Sequence, residues 1–464
     1  MFRCFTALAI FIFVFGCASM APAADRPNII FVLADDLGYG DVGCFGGRKI
    51  ETPNLDALAA EGIRMTQFYS ASAVCTPTRV SCLTGRYPLR YGVTKHFSRP
   101  NEHLPRPAVT IADLLKQAGY TTAHVGKWHL GGVNRSDVMA RAAGGTIPGP
   151  LQFGFDHFLT TDEGEIAMLL LKERRFHRDA CQHLIRNDKP QKPIDRYWTE
   201  YTVDESIRLL EHYHKEKKEP FFLNLWFETP HTPYERPPGP YFDWYQDQAK
   251  GDDRLYRAMV SHLDALIGKL VAKVCELGIA ENTLILFTSD NGPSFQGSPG
   301  PYAGGKADLH EGGIRMPTIV VWPGRIEPGT VSDTLGHTND LLPTFCAAAG
   351  VEVPAELKID GVNLLPHLVD RKPVADRGTV FWQLDVYEWY PQPGEKPKPY
   401  ASEVARRGKW KLLAADGKPL ELFDLEKDPG EQQNVLDKFP DVASQLAREL
   451  QVWLSEPRTP YMQF

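Results

Sequence analysis

Residues 28–41 read NIIFVLADDLGYGD, an apolar run that leads directly into two carboxylates and a glycine-rich turn. The run of Ile, Phe, Val and Leu predicts a buried strand that ends at Ala34. Adjacent residues in a regular strand point to opposite faces, so Asp35 and Asp36 reach one ligand only if the strand has already ended. The glycines that follow allow such a turn. This stretch therefore predicts a strand with a polar site at its carboxyl end.

Similar apolar runs recur along the chain and alternate with helical patterns. Strands are predicted at residues 121–125, 221–227, 283–288 and 318–322. Apolar residues at helical spacing predict helices over 110–118 and 253–277, each followed by a glycine. This alternation is typical of an α/β fold with a mainly parallel central sheet flanked by helices.

The pattern changes near Gly378, where short strands separated by turn residues replace the alternation. These strands are predicted at residues 380–384, 401–406, 410–413 and 420–425, before a final helix over 440–454. We therefore predict a catalytic domain over 25–370 and a smaller C-terminal subdomain, an antiparallel sheet with a helix, over 371–464. The interrupted stretch 135–196 is interpreted as an insertion near the active face.

Composition and the first residues limit the function classes. The 464 residues are 43% hydrophobic, enough for a sizeable core, and a net charge of −7 without a long basic run argues against nucleic-acid binding. Arg3, the apolar run 5–16 and small residues before Asp25 predict a signal peptide over 1–24 and export to the periplasm or the medium. An imperfect lipobox leaves lipid attachment at Cys17 as an alternative. No later stretch is apolar enough for a transmembrane helix.

Polar side chains follow several of the predicted strands directly. They are Asp35 and Asp36, Lys127 and His129, His231, and Asp290 with Asn291. Ligand sites of open α/β sheets lie outside the carboxyl ends of the strands, so these side chains are expected to converge. Three carboxylates and one amide oxygen suit calcium, suit magnesium less well and do not suit zinc. The alternative is that each acid caps a loop or a helix, but two such pairs at two strand ends favour a metal.

The segment SAVCTPTR at residues 72–79 carries the candidate nucleophile. Pro77 fits the first turn of a helix that begins near Cys75 and ends at Gly85, which places Cys75 where negative charge is favoured. A disulfide to Cys82 is disfavoured because seven helical residues rise by about 10 Å. An unmodified Cys75 thiol, with a pKa lowered by the helix N-terminus, stays an alternative. The other cysteines after the leader are scattered singly, and no pairing is assigned.

Residues 75–79 (CTPTR), continued by 83–86 (LTGR), match the Cys-x-Pro-x-Arg signature of the type I sulfatases, which this chain resembles from about residue 27 to 436. Other similar blocks follow in family order: 35–41 (DDLGYGD), 126–131 (GKWHLG), 229–233 (TPHTP), 289–292 (SDNG), 305–306 (GK), 311–317 (EGGIRMP), and 422–425 (LFDL) with 428–429 (DP). Residues 43–46 (GCFG) are most similar to the arylsulfatase A and N-acetylgalactosamine-6-sulfatase branch. The resemblance implies an alkaline-phosphatase-like fold and hydrolysis of an aryl or carbohydrate sulfate ester.

The chemistry implied by this resemblance starts with oxidation of Cys75 to formylglycine by a separate formylglycine-generating enzyme. One hydroxyl of the hydrated aldehyde attacks sulfur, and the other later expels sulfate and restores the aldehyde. Asp35, Asp36, Asp290 and Asn291 are implied to bind one calcium ion (Ca2+), which also contacts residue 75 and a sulfate oxygen.

Further roles follow from the same resemblance. Arg79 is implied to hold the diol and the neighbouring carboxylates, and Lys127 and Lys306 to stabilise charge on the sulfate oxygens. His129 is implied to assist removal of a proton from the diol. His231 is implied to protonate the leaving oxygen, or to hold sulfate for that step.

Some alternatives stay open. Relatives place a serine near the nucleophile soon after a Gly-Phe segment, whereas residues 154–162 read GFDHFLTTD here, so no residue is assigned to that role. A phosphonate or phosphate ester hydrolase of the same superfamily is the alternative function, although such phosphatases usually carry a second metal site. A non-catalytic binding protein and a reactive-thiol protein are the remaining hypotheses.

Substrate specificity is expected from loops 135–196, 234–252 and 385–399. In the last loop, Tyr387, Trp389 and Tyr390 are expected to stack on a sugar ring or to pack the subdomains together.

Overall fold

The computed structural model describes residues 26–97, 102–163, 165–217, 219–385 and 400–458, with the side chains of 165–168 excepted. The predicted signal peptide, the lipid-attachment candidate Cys17, and the aromatic residues Tyr387, Trp389 and Tyr390 lie outside these ranges. Within them the chain has the predicted α/β fold, with a large central sheet, flanking helices and a second, smaller antiparallel sheet. None of the described helices is long and apolar enough to cross a membrane.

The elements of the described residues are as follows. The strands are β1 (Asn28–Ala34), β2 (Ile63–Tyr69), β3 (Thr121–Gly126), β4 (His157–Thr161), β5 (Leu184–Arg186), β6 (Lys189–Pro190), β7 (Phe221–Trp226), β8 (Thr283–Ser289), β9 (Arg315–Val321), β10 (Thr330–Ser332), β11 (Gly336–His337), β12 (Val380–Gln383), β13 (Glu403–Arg407), β14 (Trp410–Ala415) and β15 (Lys418–Asp424). The helices are α1 (Pro53–Ala60), α2 (Cys75–Thr84), α3 (Ile111–Gln117), α4 (Arg135–Ala142), α5 (Glu165–Lys172), α6 (Phe176–Asp179), α7 (Trp198–Glu216), α8 (Tyr241–Trp244), α9 (Gly251–Glu276), α10 (Glu311–Ile314), α11 (Leu341–Ala348), α12 (Leu365–Asp370) and α13 (Pro440–Leu454).

The central sheet is mainly parallel. Its strands lie in the order β10-β2-β9-β8-β1-β7-β3-β4-β5-β6, and β11 also pairs with β2. In the middle, β1 pairs in parallel with β7 and β8, and β3 pairs in parallel with β7 and β4. β9 runs antiparallel between β2 and β8, and β5 and β6 are antiparallel at the other edge. The carboxyl ends of β1, β3, β7 and β8 therefore lie side by side.

Both faces of the central sheet are covered, as the side chains of β1 show. Ile30 and Val32 belong to the core on one face, whereas Ile29 and Phe31 belong to the core on the other. Successive side chains of a strand point to opposite faces, so every position of β1 is buried. A strand buried on both sides reads as a continuous apolar run, and this is why β1 is visible in the sequence.

The smaller sheet has the order β12-β13-β14-β15, with each strand antiparallel to the next. Leu450 of α13 and Trp382 of β12 share a core with Tyr69, at the end of β2 in the central sheet, and with Val74, which directly precedes α2. The C-terminal sheet thus packs directly against the segment that leads into α2. The domain boundary near residue 370 stays a prediction.

The sequence analysis missed several strands of the central sheet, namely β2, β4, β5, β6, β10 and β11. In β2 a register shift between Met65 and Phe68 interrupts the regular alternation of buried side chains. β4, β5 and β6 lie in the stretch 135–196, which was interpreted as an insertion, but they extend the central sheet instead. β9 begins at Arg315, earlier than the predicted residue 318, because its first residues pair with the far end of β2.

Candidate active site

The turns at the carboxyl ends of the parallel strands continue the hydrogen bonding of the sheet. The N–H of Asp290 donates to Ala34 O (3.1 Å), and the N–H of Lys127 donates to Trp226 O (2.8 Å). Asp36 has a φ of 63°, so the chain leaves the strand path at this residue. These turns place residues from β1, β3, β7 and β8 next to one another, as the sequence predicted.

Four side chains form a buried cluster at this edge. Asp35, Asp36, Cys75 and Asp290 each offer one ligand atom, and these atoms all lie within 4.8 Å of one another. All four residues have at most 1% of their surface exposed. Burial, followed by repulsion from the Asp35 carboxylate, raises the pKa of Asp290 to about 6. A cation among the carboxylates would relieve that repulsion.

Asn291 provides a further oxygen that suits a cation. Its Nδ2 donates to Asp36 Oδ1 (2.7 Å) and to the carbonyl of Gly292 (2.9 Å). Its Oδ1 is buried and has no hydrogen-bond partner among the described residues. Buried polar atoms are almost always satisfied, so an orphaned oxygen beside three carboxylates fits a hard metal ion. The residues present therefore fit a calcium-type site, although the identity of the ion is a proposal.

Two cationic side chains contact the Asp35 side of the cluster. Arg79 is fully buried; its Nη2 donates to Asp290 Oδ2 (2.7 Å) and lies 3.5 Å from Asp35 Oδ2. Lys127 Nζ donates to Asp35 and lies 3.8 Å from Cys75 Sγ. Burial alone would raise the pKa of Asp35, but the neighbouring cations, Lys127 first, hold it well below its ordinary value. Asp35 is therefore a carboxylate over the whole physiological pH range.

Lys306 and His231 contact the Asp36 side. Lys306 Nζ lies 2.8 Å from both carboxylate oxygens of Asp36, and His231 Nε2 lies 3.8 Å from Oδ2. Ser294 Oγ also donates to this carboxylate (2.9 Å). Burial, and then the charge of Lys306, lower the pKa of His231 to about 4, so its imidazole is neutral at pH 7. With three cationic side chains already facing three carboxylates, a divalent cation would make the site net positive and attractive to an anionic group.

Cys75 is the first residue of α2, and Gly85 follows the helix in the left-handed conformation, both as predicted. The thiol is fully buried and its Sγ donates to Asp35 Oδ1 (3.4 Å). Burial, followed by the charges of Asp290 and Asp35, raises the pKa of the Cys75 thiol well above its ordinary value. The structure therefore does not favour the low-pKa alternative. Cys75 and Cys82 are both free, as are the other described cysteines.

His129 lies on the β3 side of the site. Its ring stacks on the ring of His96, with centroids 5.6 Å apart and an interplanar angle of 17°. Its carbonyl accepts a hydrogen bond from Thr76 Oγ1 (3.0 Å), which ties the β3 turn to the residue after Cys75. The structure thus brings His129 to the same edge as the other predicted residues. Its catalytic role stays a proposal.

Three residues near the site were not predicted. His96 stacks on His129, Ser294 donates to Asp36, and the Glu163 carboxylate accepts two backbone N–H groups of the β3 turn. Ser294 stands three positions after Asn291, so it was within reach of a sequence argument. His96 and Glu163 belong to segments without any motif, and only the fold brings them here.

Comparisons with known proteins agree with this arrangement. The family model described as Sulfatase matches residues 27–351, and the one described as N-sulphoglucosamine sulphohydrolase, C-terminal matches residues 305–457. Arylsulfatase A of Bos taurus is 34% identical, with 91% of this chain and 85% of that protein covered. N-acetylgalactosamine-6-sulfatase of Rattus norvegicus is 34% identical, with 80% and 72% covered. The crystal structure of Ps i-CgsB in complex with k-i-k-neocarrahexaose superposes with a TM-score of 0.80 at 28% identity, covering 94% of each chain. The resemblance to sulfatases is thereby confirmed, and this chain belongs to the sulfatase family.

Proposed function

We propose that this chain hydrolyses a sulfate ester to an alcohol and inorganic sulfate, using a formylglycine made from Cys75 and one bound calcium ion. The observation that carries the proposal is the buried cluster of Asp35, Asp36 and Asp290 around residue 75. The orphaned Oδ1 of Asn291 adds the amide oxygen that a hard cation takes as a ligand. A thiol at this position would be a poor nucleophile, because its pKa is raised by burial and by two carboxylates.

The Sγ atom of Cys75 stands where a hydroxyl oxygen of the hydrated aldehyde would lie. As a geminal diol, residue 75 supplies one hydroxyl to attack sulfur and a second to release sulfate afterwards. Asp35 Oδ1, at 3.4 Å from Sγ, is close enough to accept a hydrogen bond from that diol. Arg79 holds Asp35 and Asp290 in place by charge-assisted contacts, and its charge favours the ionised form of both carboxyl groups.

The remaining roles fall to side chains that already face the cluster. When bound, calcium supplies Lewis-acid polarisation of the sulfate group. Lys127 and Lys306 approach the cluster from its Asp35 and Asp36 sides, where each can bind a sulfate oxygen as charge develops. His129 and His231 are the proton carriers of the proposal. His231, near Asp36, is assigned to the leaving oxygen.

The proposed substrate class is a sulfated carbohydrate, with an aryl sulfate as the convenient assay substrate. One relative is named N-acetylgalactosamine-6-sulfatase, and Ps i-CgsB was crystallised in complex with k-i-k-neocarrahexaose. Conversion of Cys75 requires a formylglycine-generating partner. Because Cys75 is fully buried, that partner has to reach it before folding is complete. Export through the leader 1–24 belongs to the same proposal.

The test starts with the chain co-expressed with a formylglycine-generating enzyme. Mass spectrometry of the peptide containing residue 75 should show the aldehyde or its hydrate, and the protein should release sulfate from 4-nitrophenyl sulfate or a sulfated saccharide. Cys75→Ala should lose this activity, and chelation followed by calcium addition should remove and restore it. A matched phosphonate monoester serves as the competing substrate. Fully converted, calcium-loaded protein that cleaves the phosphonate and no sulfate ester would overturn the proposal in favour of the alternative hydrolase.

A further inference from the structure

The turn after β3 carries two of the proposed catalytic side chains in an unusual backbone conformation. Lys127 and His129 flank Trp128, whose side chain is fully buried. His129 has a φ of 54°, in the left-handed region that residues other than glycine rarely adopt. A backbone held there is strained, so surrounding contacts must stabilise it.

Glu163 makes those contacts. Its Oε1 accepts a hydrogen bond from the N–H of Trp128 (2.5 Å), and its Oε2 accepts one from the N–H of His129 (2.7 Å). Thr160 Oγ1 lies 3.4 Å from Oε1 and helps to orient the carboxylate. Both oxygens are therefore engaged with consecutive backbone donors of the same turn. Hydrogen bonds to an ionised acceptor are roughly twice as strong as neutral ones.

We propose that Glu163 is a positioning residue for the reaction: its two carboxylate oxygens hold the backbone of the β3 turn so that Lys127 and His129 face residue 75. The inference rests on the proposed function and deepens it, because it adds a residue that touches neither substrate nor metal. Lys127 Nζ lies 3.8 Å from Cys75 Sγ, so a small shift of the turn would change the contact between this lysine and residue 75. A displacement of about 1 Å is enough to reduce a rate about 100-fold.

Glu163→Gln tests whether both carboxylate oxygens are needed as hydrogen-bond acceptors. A glutamine has the same shape, but it presents one acceptor oxygen and one NH2 group, so an amide donor faces either the Trp128 or the His129 N–H. That turn has to open on one side. Glu163→Asp keeps both acceptor oxygens on a shorter side chain, and it should rescue part of the activity.

Asp264, which is not among the residues of the proposed site, offers a matched control. Its carboxylate also accepts two consecutive backbone N–H groups, from Asn54 (3.1 Å) and Leu55 (2.7 Å), at the start of α1. Asp264→Asn therefore removes the same kind of clamp without touching the β3 turn. It is expected to lower the thermal midpoint and to leave kcat within about threefold, because the clamp it loosens lies outside the proposed site.

The experiment compares kcat, KM and thermal midpoint for the three variants, each normalised to its formylglycine content. Glu163→Gln should lower kcat about 100-fold with a much smaller change in KM, and Glu163→Asp should recover part of that loss. The inference is overturned if converted Glu163→Gln keeps the wild-type kcat, or if Asp264→Asn loses as much. If wild-type protein with formylglycine at residue 75 cleaves no sulfate ester, the proposed function is wrong instead. In that case a crystal structure of Glu163→Gln still tests the role of Glu163. A backbone from Lys127 to His129 that has not shifted would contradict that role.

Discussion

At the scale of single residues, the environment of Cys75 determines what its thiol does before conversion. Burial and the charges of Asp290 and Asp35 raise its pKa above the ordinary 9.0. A raised pKa means that less thiolate is present at any pH below it, and the thiolate is the reactive form. In metal-free protein made without a maturing enzyme, we expect Cys75 to be alkylated far more slowly than the exposed Cys275 at pH 8.

Iodoacetamide labelling followed by peptide mass spectrometry measures this difference. Both cysteines should be labelled at similar rates in urea, where burial no longer protects Cys75. Faster labelling of Cys75 than of Cys275 in the folded protein would support the reactive-thiol hypothesis, which burial now argues against.

The orphaned oxygen of Asn291 gives a second prediction at this scale. Calcium that binds the folded chain stabilises it by about 2.7 kcal/mol at a concentration 100 times its Kd. Asn291→Ala removes one proposed ligand, so we expect calcium affinity to fall about tenfold or more and the calcium-induced rise in thermal midpoint to shrink. The control is Asn282→Ala, whose amide donates to Arg26 O (3.1 Å) away from the cluster. Equal calcium shifts in wild type and Asn291→Ala would remove this residue from the proposed metal site.

At the scale of the elements, the end of β3 depends on a glycine. Gly126 has a φ of 108°, and a Cβ at this position would lie 1.8 Å from the carbonyl oxygen of Trp226 on β7. Gly126→Ala must therefore push the end of β3 away from β7 just before Lys127. We expect a loss of about 3 kcal/mol in unfolding free energy and a large loss of kcat.

Gly119 is the matched control for this substitution. It also has a positive φ (89°), but an added Cβ would meet nothing within 4 Å. Gly119→Ala should cost only the backbone strain, about 1–2 kcal/mol, and leave kcat unchanged. Similar losses in the two variants would show that the contact with β7 does not matter.

The same elements show which parts of the fold can be predicted from the sequence. β1, β7 and β8 were predicted closely because both their faces are buried, and α2 because Pro77 and Gly85 mark its ends. β4, β5 and β6 were not, since short strands at a sheet edge leave no clear apolar run. Glu163 follows β4, so its contact with the β3 turn depends on pairing between strands that the sequence did not reveal.

At the scale of the whole molecule, a buried ionic network joins the C-terminal sheet to the segment that carries Lys306. Lys411 of β14 lies 3.0 Å from Glu311 Oε1 and 2.8 Å from Glu431 Oε1, and all three side chains are fully buried. Glu311 also accepts a hydrogen bond from Tyr69 (2.6 Å). Glu311 therefore ties one end of the segment 306–311 to the C-terminal sheet. At the other end of this segment, Lys306 contacts Asp36 of the candidate active site.

Lys411→Met would leave the carboxylates of Glu311 and Glu431 buried without this cation. Breaking a buried pair from one side costs about 3–5 kcal/mol, so we expect a loss of that size in urea unfolding. Lys409 provides the contrast, because it pairs with Asp424 (3.0 Å) while 37% of its side chain is exposed. Lys409→Met should cost less than about 1 kcal/mol, as surface pairs do. Adding Glu311→Gln to Lys411→Met should restore part of the stability, since one unpaired charge is removed. If Lys411→Met costs no more than Lys409→Met, the buried network does not hold the two parts of the chain together.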